Sequence, residues 1–173
     1  MYNPQRHHRR SQRLQSYDYS QSGFYYVTVC TEMRIHLFGE IVESDANYVQ
    51  SNKNAQVNLN PFGQIVLETW LDLVNHNSNV HLHQFVLMPN HAHGIIEITD
   101  DARHGLTEII RQFKTFSSRK INTIRDSQGE KVWQRGFHEH VVRNDHDLQR
   151  ISEYIINNPQ RWFEEQLSRR DGF

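Results

Sequence analysis

Phe85-Val86-Leu87-Met88-Pro89-Asn90-His91-Ala92-His93-Gly94-Ile95-Ile96-Glu97-Ile98 is the most informative stretch of this chain. It reads as two β-strands, 84–88 and 91–98, joined at Pro89-Asn90 and carrying a His-hydrophobe-His triplet. Side chains alternate faces along a strand, so His91 and His93 point one way while Ala92 points the other. Two imidazoles side by side on a rigid strand are half of a metal site, or a pair of donors for a phosphate. Alone the triplet is weak, because a chain with 12 histidines can place two of them so by accident.

Outward from this hairpin the order is β, α, β, β, α, β, α. The first strand, Phe24–Thr31, is aromatic and β-branched and is opened by Gly23. A short strand is expected at 37–42, and the polar, Asn-rich segment 43–60 reads as loop. A helix starts at Pro61 with Ile65, Val66, Trp70, Leu73 and Val74 on one stripe. A second follows Asp100-Asp101, its apolar side Leu106, Ile109, Ile110, Phe113 and Phe116, its polar side Arg111, Lys114, Arg119 and Lys120. Residues 133–142 read as a strand, and a last helix runs from a cap at Asn144 or Asp145 to Pro159. This pattern predicts an α+β fold of ferredoxin-like type, an antiparallel sheet with helices packed on one face.

The 173 residues suit one domain. With 19 Lys+Arg against 20 Asp+Glu, any nucleic-acid footprint must be local rather than global. A single cysteine, Cys30, excludes an internal disulfide framework and fits a reducing cytoplasm. No run of about 18 apolar residues exists, so no membrane helix is expected. Residues 1–22 form a polar arm with Arg6, Arg9, Arg10 and Arg13 ahead of the first acid, Asp18. It is either a solvated terminus or a basic arm for phosphates.

Tyr154-Ile155-Ile156-Asn157-Asn158-Pro159 places Tyr154 and Asn158 one helical turn apart. Asn158 precedes proline and so falls at the helix end, which keeps Asn157 as a fallback. Three motifs, Met88-Pro89-Asn90-His91-Ala92-His93-Gly94, Trp133-Gln134-Arg135-Gly136-Phe137-His138-Glu139-His140 and Tyr154–Pro159, occur in this order. Together with His7-His8-Arg9-Arg10-Ser11, the lead-in Tyr17-Asp18-Tyr19-Ser20, the strand Gly23–Thr28 and Phe113-Lys114, they resemble the single-tyrosine HUH transposases, in the REP-associated tyrosine transposase branch.

The resemblance implies a metal-dependent single-stranded DNA endonuclease and strand transferase that cuts at hairpin-forming repeats through a covalent phosphotyrosine. It implies Tyr154 as nucleophile, with His91, His93 and Asn158 as ligands of Mg2+ or Mn2+. Along the chain this gives a basic arm (1–22), one catalytic domain (23–165) and a tail (166–173), and the resemblance implies a monomer or homodimer acting on single-stranded or hairpin DNA. The chemistry is coherent. Phosphodiester charge repels nucleophiles, a cation on a non-bridging oxygen relieves that repulsion, and a cation near a phenol favours the phenolate. Arg9, Arg10, Arg13, Lys114, Arg119, Lys120, Gln134 and Arg135 are expected to contact DNA, with His138 and His140 as a structural or DNA-side pair. The alternative is a hairpin or repeat DNA-binding protein that does not need to cut.

Overall fold

The structure, a computed structural model, describes residues 17–43, 55–99 and 104–170. Its main sheet contains β1 (Gly23–Cys30), β4 (Val80–Met88), β5 (His91–Ile98) and β6 (His138–Val142), in the order β4-β5-β1-β6. Every pairing in it is antiparallel. With α1 (Pro61–Leu71) between β1 and β4, and α3 (Leu106–Ile124) between β5 and β6, the path is the βαββαβ of a ferredoxin-like α+β sandwich. A short α2 (Leu73–His76) follows α1, and a separate ribbon pairs β2 (Gly39–Glu43) with β3 (Ala55–Leu59).

Alternation fixes what each face carries. Tyr25, Val27 and Val29 of β1 and Ala92, Ile96 and Ile98 of β5 pack with Val66 and Trp70 of α1 and Ile109, Ile110 and Phe113 of α3. These side chains are almost wholly buried, and each large one contributes about 1.5–3 kcal/mol by leaving water. A slip of β5 by one residue would drive His91 and His93 into that core, so the register is strongly specified.

The expected helices on one face are α1 and α3. The opposite face departs from the expectation, because α4 (Asp145–Ile156) lies against it through Ile151 and Ile155 packed on Ile95, with Phe24, Val86 and Val142 around them. The apolar part of that face is covered by α4. Its polar part carries Thr28, His91, His93, His138 and His140.

Three other local expectations change. Residues 55–59 are a strand, not loop: Ala55, Val57 and Leu59 alternate with exposed Gln56 and Asn58, a period-two signal hidden by Asn-rich flanks. The strand expected over 133–142 is confined to β6, because Trp133 turns inward to donate from Nε1 to Ser117 Oγ (2.9 Å) and packs, tilted, against Phe38 and Phe113. The last helix does not stop at Pro159. It breaks at Asn157, and α5 (Asn158–Arg170) begins with proline in its first turn, where a missing N–H is harmless. The helix therefore reaches into the stretch expected as tail.

Gly94 follows His93 on the core side of β5, where a Cβ would lie 2.4 Å from Trp70 Cζ2 and 2.6 Å from Cη2. The buried indole has little room to yield. Gly94→Ala should therefore destabilise the fold by about 1–3 kcal/mol, seen as a lower midpoint in chemical denaturation. An unchanged midpoint would contradict this packing.

Candidate active site

His91 and His93 are 7% and 5% exposed, and their Nε2 atoms face each other at 3.0 Å. Each ring is held from its other nitrogen. His91 Nδ1 donates to Asn90 Oδ1 (2.7 Å), an amide oxygen that can only accept, so Nε2 keeps its lone pair. His93 Nδ1 lies 2.8 Å from Tyr26 Oη and 2.9 Å from Thr28 Oγ1. Hydroxyls donate or accept, so this support suits either tautomer of His93. Tyr26 and Thr28 reach His93 because β1 alternates in step with β5, with Thr28 opposite His93.

Burial pushes His91 down to about 4, helped by the positive charges of Arg34 and His36. Burial likewise pushes His93 down to about 3, with His91 and His138 adding to it. Both imidazoles are thus neutral near pH 7, the form that ligates a cation.

The third position differs in chemistry. Among the described residues no group of three or more His, Cys, Asp or Glu gathers to hold a metal. Asn158, 7% exposed, opens α5, and one turn along the same face Trp162 lays its ring 5.5 Å from His91 and 5.8 Å from His36. The helix face carrying Asn158 and Trp162 therefore rests beside His91. Asn157 is exposed and donates from its amide to Glu153 O (2.9 Å), closing the end of α4. The two facing imidazole nitrogens are donors that a divalent cation can take, and by themselves they suit zinc or another transition metal as well.

Tyr154 projects from α4 with its ring edge-on to His93 (5.4 Å) and to Tyr26 (6.4 Å). The Arg161 guanidinium stands 5.2 Å above that ring. A cleft of about 260 Å3 opens here, lined by Tyr26, His138, His140, Arg150, Ile151 and Tyr154. Tyr26 is pushed up to about 12, chiefly by burial, so it stays protonated and serves His93. Tyr17 and Tyr19 pack around Tyr25 in the core on the other side of the sheet, away from the histidine pair.

The expected DNA contacts scatter. Lys114 donates to the carbonyls of Gln134, Arg135 and Gly136, and burial lowers its pKa, so it ties down this loop rather than standing free for phosphate. Arg135 is exposed and Gln134 half-buried. Arg119 and Lys120 are exposed on α3, the far side of the sheet from the histidines. Arg9, Arg10 and Arg13 lie outside the described residues. Sequence reasoning missed Tyr26, Thr28, Asn90, Arg150, Arg161 and Trp162. Two signals were present: Tyr26 and Thr28 share the β1 face two apart, and Arg150 precedes Tyr154 by one turn.

Residues 20–158 match the family described as transposase IS200-like, and the chain belongs to that family. It is 35% identical, over an alignment of 189 positions spanning 96% of both chains, to an uncharacterised protein of Haemophilus influenzae. Its fold is similar to that of a REP-associated tyrosine transposase solved bound to a REP hairpin (TM-score 0.61, 18% identity, 84% of this chain and 71% of that one). It is also similar to a candidate transposase of Deinococcus radiodurans R1 (TM-score 0.50, 14% identity, 85% and 97%). Among the described residues no helix is long and apolar enough to cross a membrane.

The depressed histidines set an acid limit on stability. As pH falls below the ordinary value of 6.5, the unfolded chain takes up protons at His91 and His93 while the folded chain refuses them until about pH 4 and about pH 3. The stability they contribute is complete above about 6.5 and is lost as pH falls from there toward those values. The thermal midpoint should drop across this window, and less steeply in a His91→Gln/His93→Gln double variant. Parallel curves for the two proteins would contradict the assignment.

Proposed function

We propose that this transposase-family protein nicks and rejoins single-stranded DNA at hairpin-forming repeats, as a member of the REP-associated branch. Tyr154 is the nucleophile, and His91, His93 and Asn158 hold Mg2+ or Mn2+. The observation that carries the reading is the facing of two neutral imidazole nitrogens 3.0 Å apart, with the Tyr154 ring 5.4 Å from His93 at the edge of an open cleft. Family membership and the fold shared with a protein bound to a REP hairpin support it.

A divalent cation, when bound, supplies positive charge to the non-bridging oxygens of the scissile phosphate. The rest is the work of the chain's own side chains. Asn90 fixes His91, and Tyr26 with Thr28 fixes His93, so the cation ligands are aimed before DNA arrives. The edge-on packing against His93 and Tyr26 restrains the rotamer of Tyr154, and Arg161 puts positive charge over a ring that becomes more electron-rich as the phenol loses its proton. The Tyr154 oxygen forms a bond to phosphorus as the P–O3′ bond breaks, leaving a 5′-phosphotyrosine and a free 3′-OH. The ester keeps the energy of the broken bond, so a 3′-OH can attack it in turn and join strands without a nucleotide triphosphate.

The test is a nicking assay on single-stranded hairpin DNA with and without Mn2+. Tyr154→Phe should eliminate cleavage and the SDS-stable adduct while hairpin binding is nearly intact. His91→Ala and His93→Ala should each eliminate metal-dependent cleavage. His138→Ala should keep a measurable metal requirement. Hairpin binding with no cleavage by the intact protein under any metal would favour the binding-only alternative.

Hairpin DNA should bind more tightly than the same sequence as blunt duplex, with affinity falling steeply as salt rises. Removing residues 1–16 should make the slope of log K against log salt shallower by about 2, at roughly 0.7 for each of three arginines on phosphate. Lost affinity at constant slope would mean that the arm supports the fold instead.

A further inference from the structure

The second His-hydrophobe-His triplet, His138-Glu139-His140, faces the same way as the first. β6 pairs with β1 so that His138 lies opposite Thr28 and His140 opposite Tyr26, and both histidines line the cleft that holds Tyr154. The two are not equivalent. His140 Nε2 is 2.7 Å from Asp147 Oδ2, and Asp147 Oδ1 accepts from Arg150 Nη2 at 2.6 Å. The Asp147 backbone N–H donates to Asn144 Oδ1 (2.9 Å), which caps α4 and anchors the carboxylate's position. Hydrogen bonds from His140 and Arg150 hold this carboxyl below its usual range, so it stays charged. Asp147, Arg150 and Tyr154 recur at three and four residues along α4, and the latter two join His140 in lining the cleft.

A carboxylate on Nε2 keeps the proton there and leaves Nδ1 with its lone pair, a base in want of a proton donor. Of the donors that share its cleft, Tyr26 is engaged with His93 and Arg150 with Asp147, which leaves the Tyr154 hydroxyl. We infer that His140, oriented by Asp147, accepts the phenolic proton of Tyr154 during strand cleavage, an inference that rests on the reading of Tyr154 as nucleophile. As the Tyr154 O–P bond forms and the P–O3′ bond breaks, the proton passes to His140 Nδ1. The resulting imidazolium is balanced by the Asp147 carboxylate. The departing 3′ oxygen takes a proton from water, and His140 releases its own to solvent. In the joining direction a 3′-OH bonds to phosphorus and gives its proton to water, while His140, reprotonated from solvent, protonates the Tyr154 oxygen as the phosphotyrosine P–O bond breaks.

The groups around His140 are His138 from its own strand, Tyr26 from β1, and Asp147, Arg150 and Tyr154 from α4. Arg161 of α5 enters through Tyr154. A purely structural ion pair would tie β6 to α4 equally well, so the test must read proton transfer and not stability alone.

The experiment is single-turnover cleavage of a single-stranded hairpin oligonucleotide by the full chain with Mn2+, from about pH 5.5 to about pH 9, spanning the histidine range. The intact protein should gain rate as pH rises and then level off. His140→Ala should cut the rate on the order of 100-fold or more, lose the rising limb, and recover rate when imidazole is added, with hairpin binding unchanged. Asp147→Asn should slow cleavage less and gain nothing from imidazole. A His140→Ala protein that keeps the parental rate and pH profile, or is slowed with the parental profile and no imidazole rescue, overturns the inference. Should that variant fail to fold, Asp147→Asn with an unaltered rate and profile overturns it equally. In both cases an inactive Tyr154→Phe leaves the reading of the nucleophile standing. Cleavage by Tyr154→Phe would remove that reading, and this inference with it.

Discussion

The two-sided register of β5 is the constraint on which the rest of the molecule depends. It lies inside the sheet between β4 and β1, so both its ladders are paired and its register cannot drift. On one side Ala92, Gly94 and Ile96 close the core, and Gly94 has no side chain because Trp70 fills that space. On the other, His91 and His93 are set side by side, with His93 against Tyr154 of the cleft. The packing that stabilises the fold and the geometry that serves the site are two faces of one strand. Neither can be altered without disturbing the other.

The histidine pair is costly to place and is made tolerable by what surrounds it. A charged imidazole in so buried a position would be severely destabilised, and burial keeps both rings neutral instead. Each outer nitrogen finds a polar partner, which leaves the inner nitrogens facing one another. The same polar patch on an otherwise apolar sheet face explains where α4 lies. Ile151 and Ile155 cover the apolar part through Ile95, and the helix then presents Tyr154 beside the part left polar.

Much of this was legible in the sequence wherever periodicity was strong. The β4–β5 hairpin, β1, α1, α3 and the start of α4 all follow from alternation or helical spacing, and the IS200-like family assignment agrees with the motif resemblance. β3 escaped because five alternating residues are swamped by polar neighbours. The continuation into α5 escaped because proline before a polar run reads as a stop, although it sits comfortably in a first turn. At the site, parity predicted that His91 and His93 would share a face. The neighbours that orient them come from another strand, and register between strands distant in sequence cannot be read from one chain. Lys114 shows the reverse failure: a cation on a polar helix face was read as a phosphate contact, and tertiary structure gave it three loop carbonyls.

The central claim is that the histidine pair and Tyr154 form one centre for strand cleavage. Peptide mapping by mass spectrometry of the covalent adduct formed with a single-stranded hairpin oligonucleotide tests it most directly. The account predicts a nucleotide 5′-phosphate esterified to the peptide containing Tyr154, with a free 3′-OH on the released strand. An adduct on Tyr26, the other tyrosine of the cleft, or on Tyr17 or Tyr19 across the sheet, would contradict it.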